Sequence, residues 1–535
     1  MNNNRGTLPW WLGDSMAIFA GILVPFSLAP YGYWALSLLA PAILAYLVKQ
    51  QTGKAALRRS FLFGVGMFAK GTSWVYISIH DFGYTVAPLA VVLTTVFVLG
   101  LALVFSAPFY IYGRYFSRYY LNRDTKHSAK KACAYALLFS ALWVLGEWSR
   151  SWFLTGFPWL YLGYAHVDTW LAGWAPIGGV FALSFIAVFT GVTIAEAIDD
   201  TYRNFTRSFD TVKICARNHG PTLLGLATLW TVGLAVMPSE KDYENNPSLS
   251  VAIIQPNTPL EVKWNPLFRD QIMETLREET EKHWDKDLII WPEAAIPIMY
   301  HDAAYFLDDI ETKANDTQTG IVLGILYDDA EPMTFYNSIT GLGRANGMYF
   351  KQRLVPFGEY VPLEKWLRGL IAFFNLPNSI IYPGEQDQDI LGFDAFKIAP
   401  SICYEIVYPD LVARLAKQSD LLITISNDAW FGSSIGPIQH LQMAQMRALE
   451  NQRYVLRGTN TGISAIINPL GEITQASRQF ERHSIEQNNV KLVDTTTLFA
   501  FWGSYPIVIL CFGILAFIAL AQLKQRQQKI VGTPG

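Results

Sequence analysis

Cys403 is the only cysteine between Cys215 and Cys511, in the run Ile402-Cys403-Tyr404-Glu405. It lies in a long stretch that reads as a soluble domain on the oxidising side of a membrane. There a thiol with no disulfide partner in its own domain is better suited to be a nucleophile than a staple. Two further segments place ionisable residues just after short apolar runs: Trp291-Pro292-Glu293, where Pro292 stops a strand and presents Glu293, and Tyr349 to Glu359, which ends a hairpin and carries Lys351. Ligands of α/β sheets bind at such strand ends. Acyl transfer through cysteine needs a nucleophilic sulfur, a proton carrier and a positive or N–H-rich pocket for the oxyanion. A glutamate can shuttle the proton, and a lysine can favour thiolate while donating to the oxyanion. Glu293, Lys351 and Cys403 are therefore a complete chemical set, although spacing alone does not show that they converge.

The elements that would position them are legible as short apolar runs of strand length: 249–254, 288–291, 321–325, 396–399 and 421–425. Charged helical segments alternate with them at 269–284, 302–314 and 439–453. Pro409 could open a helix at its first turn, just beyond Cys403. This alternation predicts an α/β layered domain. The four cysteines, Cys133, Cys215, Cys403 and Cys511, lack zinc-ligand spacing, so no metal or other cofactor is implied.

The rest of the chain has another grammar. In 535 residues, 51% are hydrophobic and 14% aromatic, high for a purely soluble protein, and a net charge of −3 gives no basic field for nucleic acid. A spanning helix needs about 20 mostly apolar residues. Eight candidates lie near 11–29, 32–48, 60–79, 86–112, 132–149, 171–197, 220–238 and 505–523, the first weakened by Asp14. No small-residue cleavage site follows the first, so it reads as an uncleaved span. Lys and Arg concentrate in the loops after spans two, four and six and in the tail, leaving the alternate loops nearly bare. Basic loops stay cytoplasmic. Both termini are therefore expected in the cytoplasm and the α/β region outside, giving a membrane domain of seven helices at 1–239, an extracytoplasmic catalytic domain at 240–500, and a last helix with a cytoplasmic tail at 501–535.

The order Glu293, Lys351, Cys403 resembles the nitrilase, or carbon-nitrogen hydrolase, superfamily, whose αββα sandwich carries a Glu-Lys-Cys triad. The eight spans, with Thr155-Gly156-Phe157-Pro158-Trp159, Val355-Pro356-Phe357-Gly358-Glu359 and Ile425-Ser426-Asn427-Asp428-Ala429-Trp430-Phe431-Gly432, resemble its membrane-bound apolipoprotein N-acyltransferase family over nearly the whole chain. That resemblance implies a bacterial inner-membrane enzyme with its catalytic domain on the periplasmic side. Cys403 would take an acyl chain from a glycerophospholipid, phosphatidylethanolamine, as a thioester. The α-amine of a diacylglyceryl-modified N-terminal cysteine of an apolipoprotein would then receive it, the last step of lipoprotein maturation. It further implies Glu293 as general base and acid, and Lys351 with the Tyr404 backbone N–H as oxyanion donors. Glu359 and Glu405 would support the triad, Tyr404 would shape the pocket, and Trp264 would sit on a mobile arm.

Other readings of the same residues remain. The same triad hydrolyses amides or nitriles when water takes the acyl group, so a membrane-anchored amidase is the alternative enzyme, and an idle scaffold a third class. The segment 151–161 is either an interfacial, re-entrant piece or a packed loop. The apolar stretch 366–376 is too short to span, and is either a buried helix or a lipid-admitting lid. Lys70, in the middle of span three, is costly in hydrocarbon and has no assigned role.

Overall fold

The computed structural model describes residues 9–117, 129–205, 211–329, 334–356, 358–360 and 381–531. The apolar stretch 366–376 and the basic residues Arg118, Arg123, Lys126 and Arg207 lie outside them. The chain forms two compact units, Met1–Met237 with Ser504–Gly535, and Pro238–Gly503.

The first unit is helical, with long elements at Trp10–Ser27, Leu36–Val48, Gly53–Gly71, Ala87–Ile111, Ala129–Ser149, Ala175–Phe205, Thr211–Ala235 and Tyr505–Val531. Five stretches are long and apolar enough to cross a membrane: Trp10–Ser27, Ala87–Phe116, Lys130–Ser149, Trp170–Tyr202 and Tyr505–Gln525. This is a membrane protein. Leu36–Val48 has 13 residues and covers only about 20 Å at 1.5 Å per residue. The third helix begins at Gly53, not near 60, and stops at Gly71. Its first turns incorporate Lys54, Arg58 and Arg59, which the sequence reading leaves in a loop. Arg58 and Arg59 there meet Asp14, at 3.2 and 3.8 Å, which accounts for an acidic residue in the first helix. Lys70 donates to the Tyr31 hydroxyl at 3.2 Å and lies over the Phe26 and Tyr31 rings, so its charge is accommodated locally. The segment 151–161 divides its character: Trp152, Phe153 and Leu154 are exposed, whereas Trp159, Leu160 and Tyr161 are buried.

The second unit contains strands β1 (Ser248–Gln255), β2 (Leu288–Ile290), β3 (Gly320–Asp329), β4 (Thr334–Gly343), β5 (Ala345–Asn346), β6 (Met348–Phe350), β7 (Leu391–Phe393), β8 (Phe396–Ile402), β9 (Leu421–Ser426), β10 (Val455–Thr459), β11 (Ala465–Ile467), β12 (Ile473–Ala476) and β13 (His483–Lys491). They make a six-stranded sheet, β13-β1-β2-β3-β4-β6, and a seven-stranded sheet, β12-β11-β10-β9-β8-β7-β5. The central strands of each, β1-β2-β3 and β8-β9-β10, are parallel. Strands buried on both faces read as continuous apolar runs, which is why β1, β2, β3, β8 and β9 were visible in the sequence.

Side-chain alternation assigns the layers. Ile253 and Ile290 point towards Gly458 of β10, so the two sheets pack face to face. Ala252, Ile254 and Ile289 point the other way, into a core with Met273 and Leu276 of helix Arg269–Thr280 and with Phe306, Leu307 and Ile310 of helix Ala304–Thr317. Helices Pro409–Ala416 and Gly436–Asn451 follow β8 and β9, with Pro409 in the first helical turn as expected. The result is an αββα sandwich.

Candidate active site

Glu293 stands just beyond β2. Trp291 extends that strand by donating its backbone N–H to Val322 O at 2.9 Å, and its buried ring donates to Thr280 Oγ1 at 3.1 Å. The chain then turns sharply through Ala294, at φ 44°. Gly324 permits this turn: a Cβ there would lie 2.7 Å from Pro292 O and 2.8 Å from Ala294 N. Glu293 is thereby presented on the inner side and fixed at both oxygens. Asn337 of β4 donates to Oε1 at 2.7 Å, and the Asn427 backbone N–H donates to Oε2 at 2.8 Å.

Lys351 follows β6, whose pairing with β4 continues through a bond from Lys351 N to Asn337 O at 2.8 Å. Its ammonium is 1% exposed and lies 2.8 Å from Glu359 Oε1 and 3.5 Å from Glu293 Oε1. Burial alone would lower its pKa. Glu359, Glu293 and Cys403 outweigh that and hold it above the usual lysine range, so it stays charged. Glu359 is itself held by Val355 N at 2.8 Å and Asn337 Nδ2 at 3.2 Å.

Cys403 occupies the turn between β8 and a short 3-10 helix, Cys403–Val407, with φ at 52° in the left-handed region. A non-glycine residue there is strained and persists only when its surroundings hold it. Glu405 supplies one hold. Its carboxylate, fully buried, accepts from Ile402 N at 2.8 Å, Gln352 N at 2.6 Å, Arg353 N at 3.1 Å and the Tyr349 hydroxyl at 3.0 Å. One side chain thus ties the residue before Cys403 to the two residues after Lys351. Burial pushes the Glu405 pKa up against those bonds.

The thiol pKa is also pushed up. Burial is the largest cause, Glu293 and Asp428 add to it, and Lys351 and a hydrogen bond with Ser426 oppose it. The resting nucleophile is therefore a protonated thiol. The sequence argument that lysine favours thiolate holds in sign, but two carboxylates share the Lys351 charge. Such an arrangement suits deprotonation during attack, with Glu293 as the neighbouring base.

The structure thus gathers Glu293, Lys351, Glu359, Cys403 and Glu405. Tyr404 is buried, its ring edge-on to Tyr408 at 5.4 Å. Trp264 caps the short helix Leu260–Lys263 and is 47% exposed. Beside it, buried Lys263 lies 5.7 Å from the indole and donates to Glu293 O at 3.1 Å. Burial lowers the Lys263 pKa to about 8 against the pull of Glu293. Sequence reasoning missed Asn337, Lys263 and a buried network behind the nucleophile, in which His440 lies between Asp428 and Arg457. Asp428 was within reach, as a buried-type motif at the end of β9. His440 carried no signal, being one polar residue in a helix with an otherwise ordinary pattern.

Residues 20–193 match the family described as apolipoprotein N-acyltransferase N-terminal domain, and residues 250–496 match the carbon-nitrogen hydrolase family. The chain is 40% identical to an apolipoprotein N-acyltransferase of Pseudomonas syringae pv. tomato, over 96% of this chain and 98% of that protein. It is 40% identical to the Azotobacter vinelandii protein of the same name over 97% of each. A Coxiella burnetii protein of that name is 35% identical over 95% of this chain and 100% of its own length.

Proposed function

This chain belongs to the apolipoprotein N-acyltransferase family, acylating lipoproteins with an acyl chain from membrane phospholipid, and from that premise we propose that Cys403 carries the acyl group as a thioester. Supporting this is the convergence of charge on one thiol: Lys351 sits 3.5 Å from Glu293, and both act on Cys403. In the first half-reaction Glu293 takes the thiol proton as Sγ attacks the ester carbonyl. The tetrahedral oxyanion is met by the Lys351 ammonium and the Tyr404 N–H. On collapse the ester C–O bond breaks, and Glu293 returns the proton to the departing lysophospholipid oxygen. In the second, the α-amine of the diacylglyceryl-cysteine attacks the thioester, Glu293 accepts its proton, and the thiolate leaves and is reprotonated. Amines displace thioesters readily, which suits this order of events.

The donor in this reading is phosphatidylethanolamine. Glu359 holds Lys351, Glu405 and Tyr404 shape the nucleophile's turn, and the exposed Trp264 lies on an arm that meets lipid. All eight long helices span the bacterial inner membrane, including the short Leu36–Val48 and the basic-ended Gly53–Gly71. Both termini are cytoplasmic, and the catalytic domain, 240–500, is periplasmic between the membrane domain 1–239 and the segment 501–535. Hydrolysis is the less favoured alternative, since the near full-length relatives carry the acyltransferase name.

Incubation of the purified protein with acyl-labelled phosphatidylethanolamine should leave a hydroxylamine-sensitive label on Cys403 that is absent from Cys403→Ala. Equal labelling of both proteins overturns the thioester. For topology, Asp285→Cys, at a side chain 69% exposed, should react with an impermeant maleimide in intact spheroplasts. Reaction only after lysis contradicts the periplasmic placement.

A further inference from the structure

Behind Cys403, just past β9, on β10 and on helix Gly436–Asn451, three buried polar residues form a chain that the acyl-transfer reading does not use. His440 Nε2 lies 3.2 Å from Cys403 O, and its Nδ1 lies 3.2 Å from Asp428 Oδ1. Arg457 Nη2 lies 3.1 Å from His440 Nδ1 and 2.5 Å from Asp428 Oδ2, and Ser426 donates to Asp428 Oδ1 at 2.6 Å. Asp428, His440 and Arg457 are 2%, 1% and 0% exposed. A buried ion pair is weak evidence of stabilisation, because desolvation offsets most of its attraction. Its position suggests another use.

We propose that His440, held by Asp428 and Arg457, fixes the peptide joining Cys403 to Tyr404 so that the Tyr404 N–H is aimed at the developing oxyanion. The inference rests on the acyl-transfer reading, which makes that N–H an oxyanion donor. A trans peptide is planar, with its C=O and N–H pointing in opposite directions. Anchoring Cys403 O on one side therefore directs Tyr404 N–H to the other. A carbonyl oxygen only accepts, so His440 Nε2 carries the proton towards Cys403 O. Nδ1 faces both the Arg457 guanidinium, which only donates, and Asp428 Oδ1 at 3.2 Å, which only accepts, so the anchoring requires Nε2–H whichever of the two Nδ1 serves. Arg457 is itself steadied by donation from Nε to Ile463 O at 3.2 Å.

The need for such a brace follows from the backbone. Cys403 at φ 52° is strained, and a peptide beside a strained residue relaxes by rotating unless both sides are tied. Glu405 ties the preceding Ile402 N–H, and His440 ties the following carbonyl. His440 is thus a positioning residue that acts through the backbone and touches no reacting atom.

Two reactions of the same thiol separate this from a general structural role. Acylation by phospholipid passes through an oxyanion, whereas alkylation by iodoacetamide does not. In His440→Leu, acylation of Cys403 should fall by about 10²-fold, the scale of one lost oxyanion donor, while alkylation stays within about threefold of wild type. His440→Gln, which returns an N–H donor near Nε2, should recover much of the acylation rate. Equal acylation in wild type and His440→Leu overturns the proposal, as does a parallel fall of acylation and alkylation. A second measurement does not depend on any variant folding. Nitrogen-15 spectra of wild-type protein labelled at histidine should show a proton on His440 Nε2, and an unprotonated Nε2 overturns the proposal. Absence of acyl label on wild type overturns the thioester reading and this inference together, and is told apart because no substitution is involved.

Discussion

The two sides of the site are held by different forces. Glu293, Lys351 and Glu359 are fixed by one another's charge, with Asn337 donating to both carboxylates. Cys403 is fixed through its backbone, by Glu405 in front and His440 behind. Charge suits groups that must move protons and meet an oxyanion, because their interactions are those the reaction uses. Backbone restraint suits a nucleophile whose position is strained and whose side chain must stay available. Replacing the proton carrier on the charged side should therefore remove chemistry with modest disorder, removing the cation there should cost stability as well, and a substitution on the backbone side should displace the thiol.

The largest expected effect is on the charged side. Glu293→Gln keeps an acceptor oxygen for only one of Asn337 and Asn427, turns an amide NH2 towards the other, and loses the proton shuttle, so thioester formation should fall by about 10²–10⁴ with a loss of about 1–3 kcal/mol of stability. A variant that acylates at the wild-type rate would remove Glu293 from its role. Lys351→Met should lose both rate and stability, since it leaves Glu293 and Glu359 facing each other without a cation, and breaking such a buried set costs about 3–5 kcal/mol. Thermal unfolding compared with Glu293→Gln reads that difference, and equal stability of the two would contradict it.

Glu405→Gln tests the opposite side. It retains oxygen acceptance but weakens four charge-assisted bonds, and should slow acylation by about tenfold while leaving a more reactive, less ordered thiol towards iodoacetamide. Wild-type alkylation gives a finer test through pH. Burial, then Glu293, raises the Cys403 pKa, so the thiol is protonated below that raised value and thiolate grows as pH climbs. The alkylation rate should rise about tenfold per pH unit between about pH 6 and 9, without a plateau. A plateau near neutrality would mean a resting thiolate. The smallest effect belongs to Trp264→Ala, which should raise KM for phospholipid with kcat little changed, as expected for a group outside the charged cluster.

What the sequence made legible follows the same division. The buried parallel strands announce themselves as apolar runs, and Glu293 and Cys403 stand at the ends of two of them, while Lys351 follows the short antiparallel β6, each with a residue type that chemistry recognises. That alternation carries an α/β layered domain, and the αββα arrangement came only with the resemblance of the Glu-Lys-Cys order. Backbone-directed contacts leave no such trace. His440 reaches Cys403 O across 37 residues, and nothing in the helix Gly436–Asn451 marks it from its neighbours. Glu405 was singled out, yet its link to the backbone of Gln352 and Arg353 exists only once the two loops meet. In the helical unit the apolar segments were visible, but the start of Gly53–Gly71 was not, because Arg58 and Arg59 are stabilised inside the helix by Asp14 from another one.

The central claim is that one thiol passes an acyl chain from lipid to amine. Its most direct test is the mass of the Cys403 peptide, taken after quenching a reaction with phosphatidylethanolamine of a single acyl composition. The account requires one acyl group in place of the thiol hydrogen, with lysophospholipid released, discharged by a diacylglyceryl-cysteine peptide with a free α-amine and retained with the same peptide N-acetylated. An unmodified Cys403 peptide while the acceptor is being acylated, or discharge at equal rates by both peptides, would contradict it.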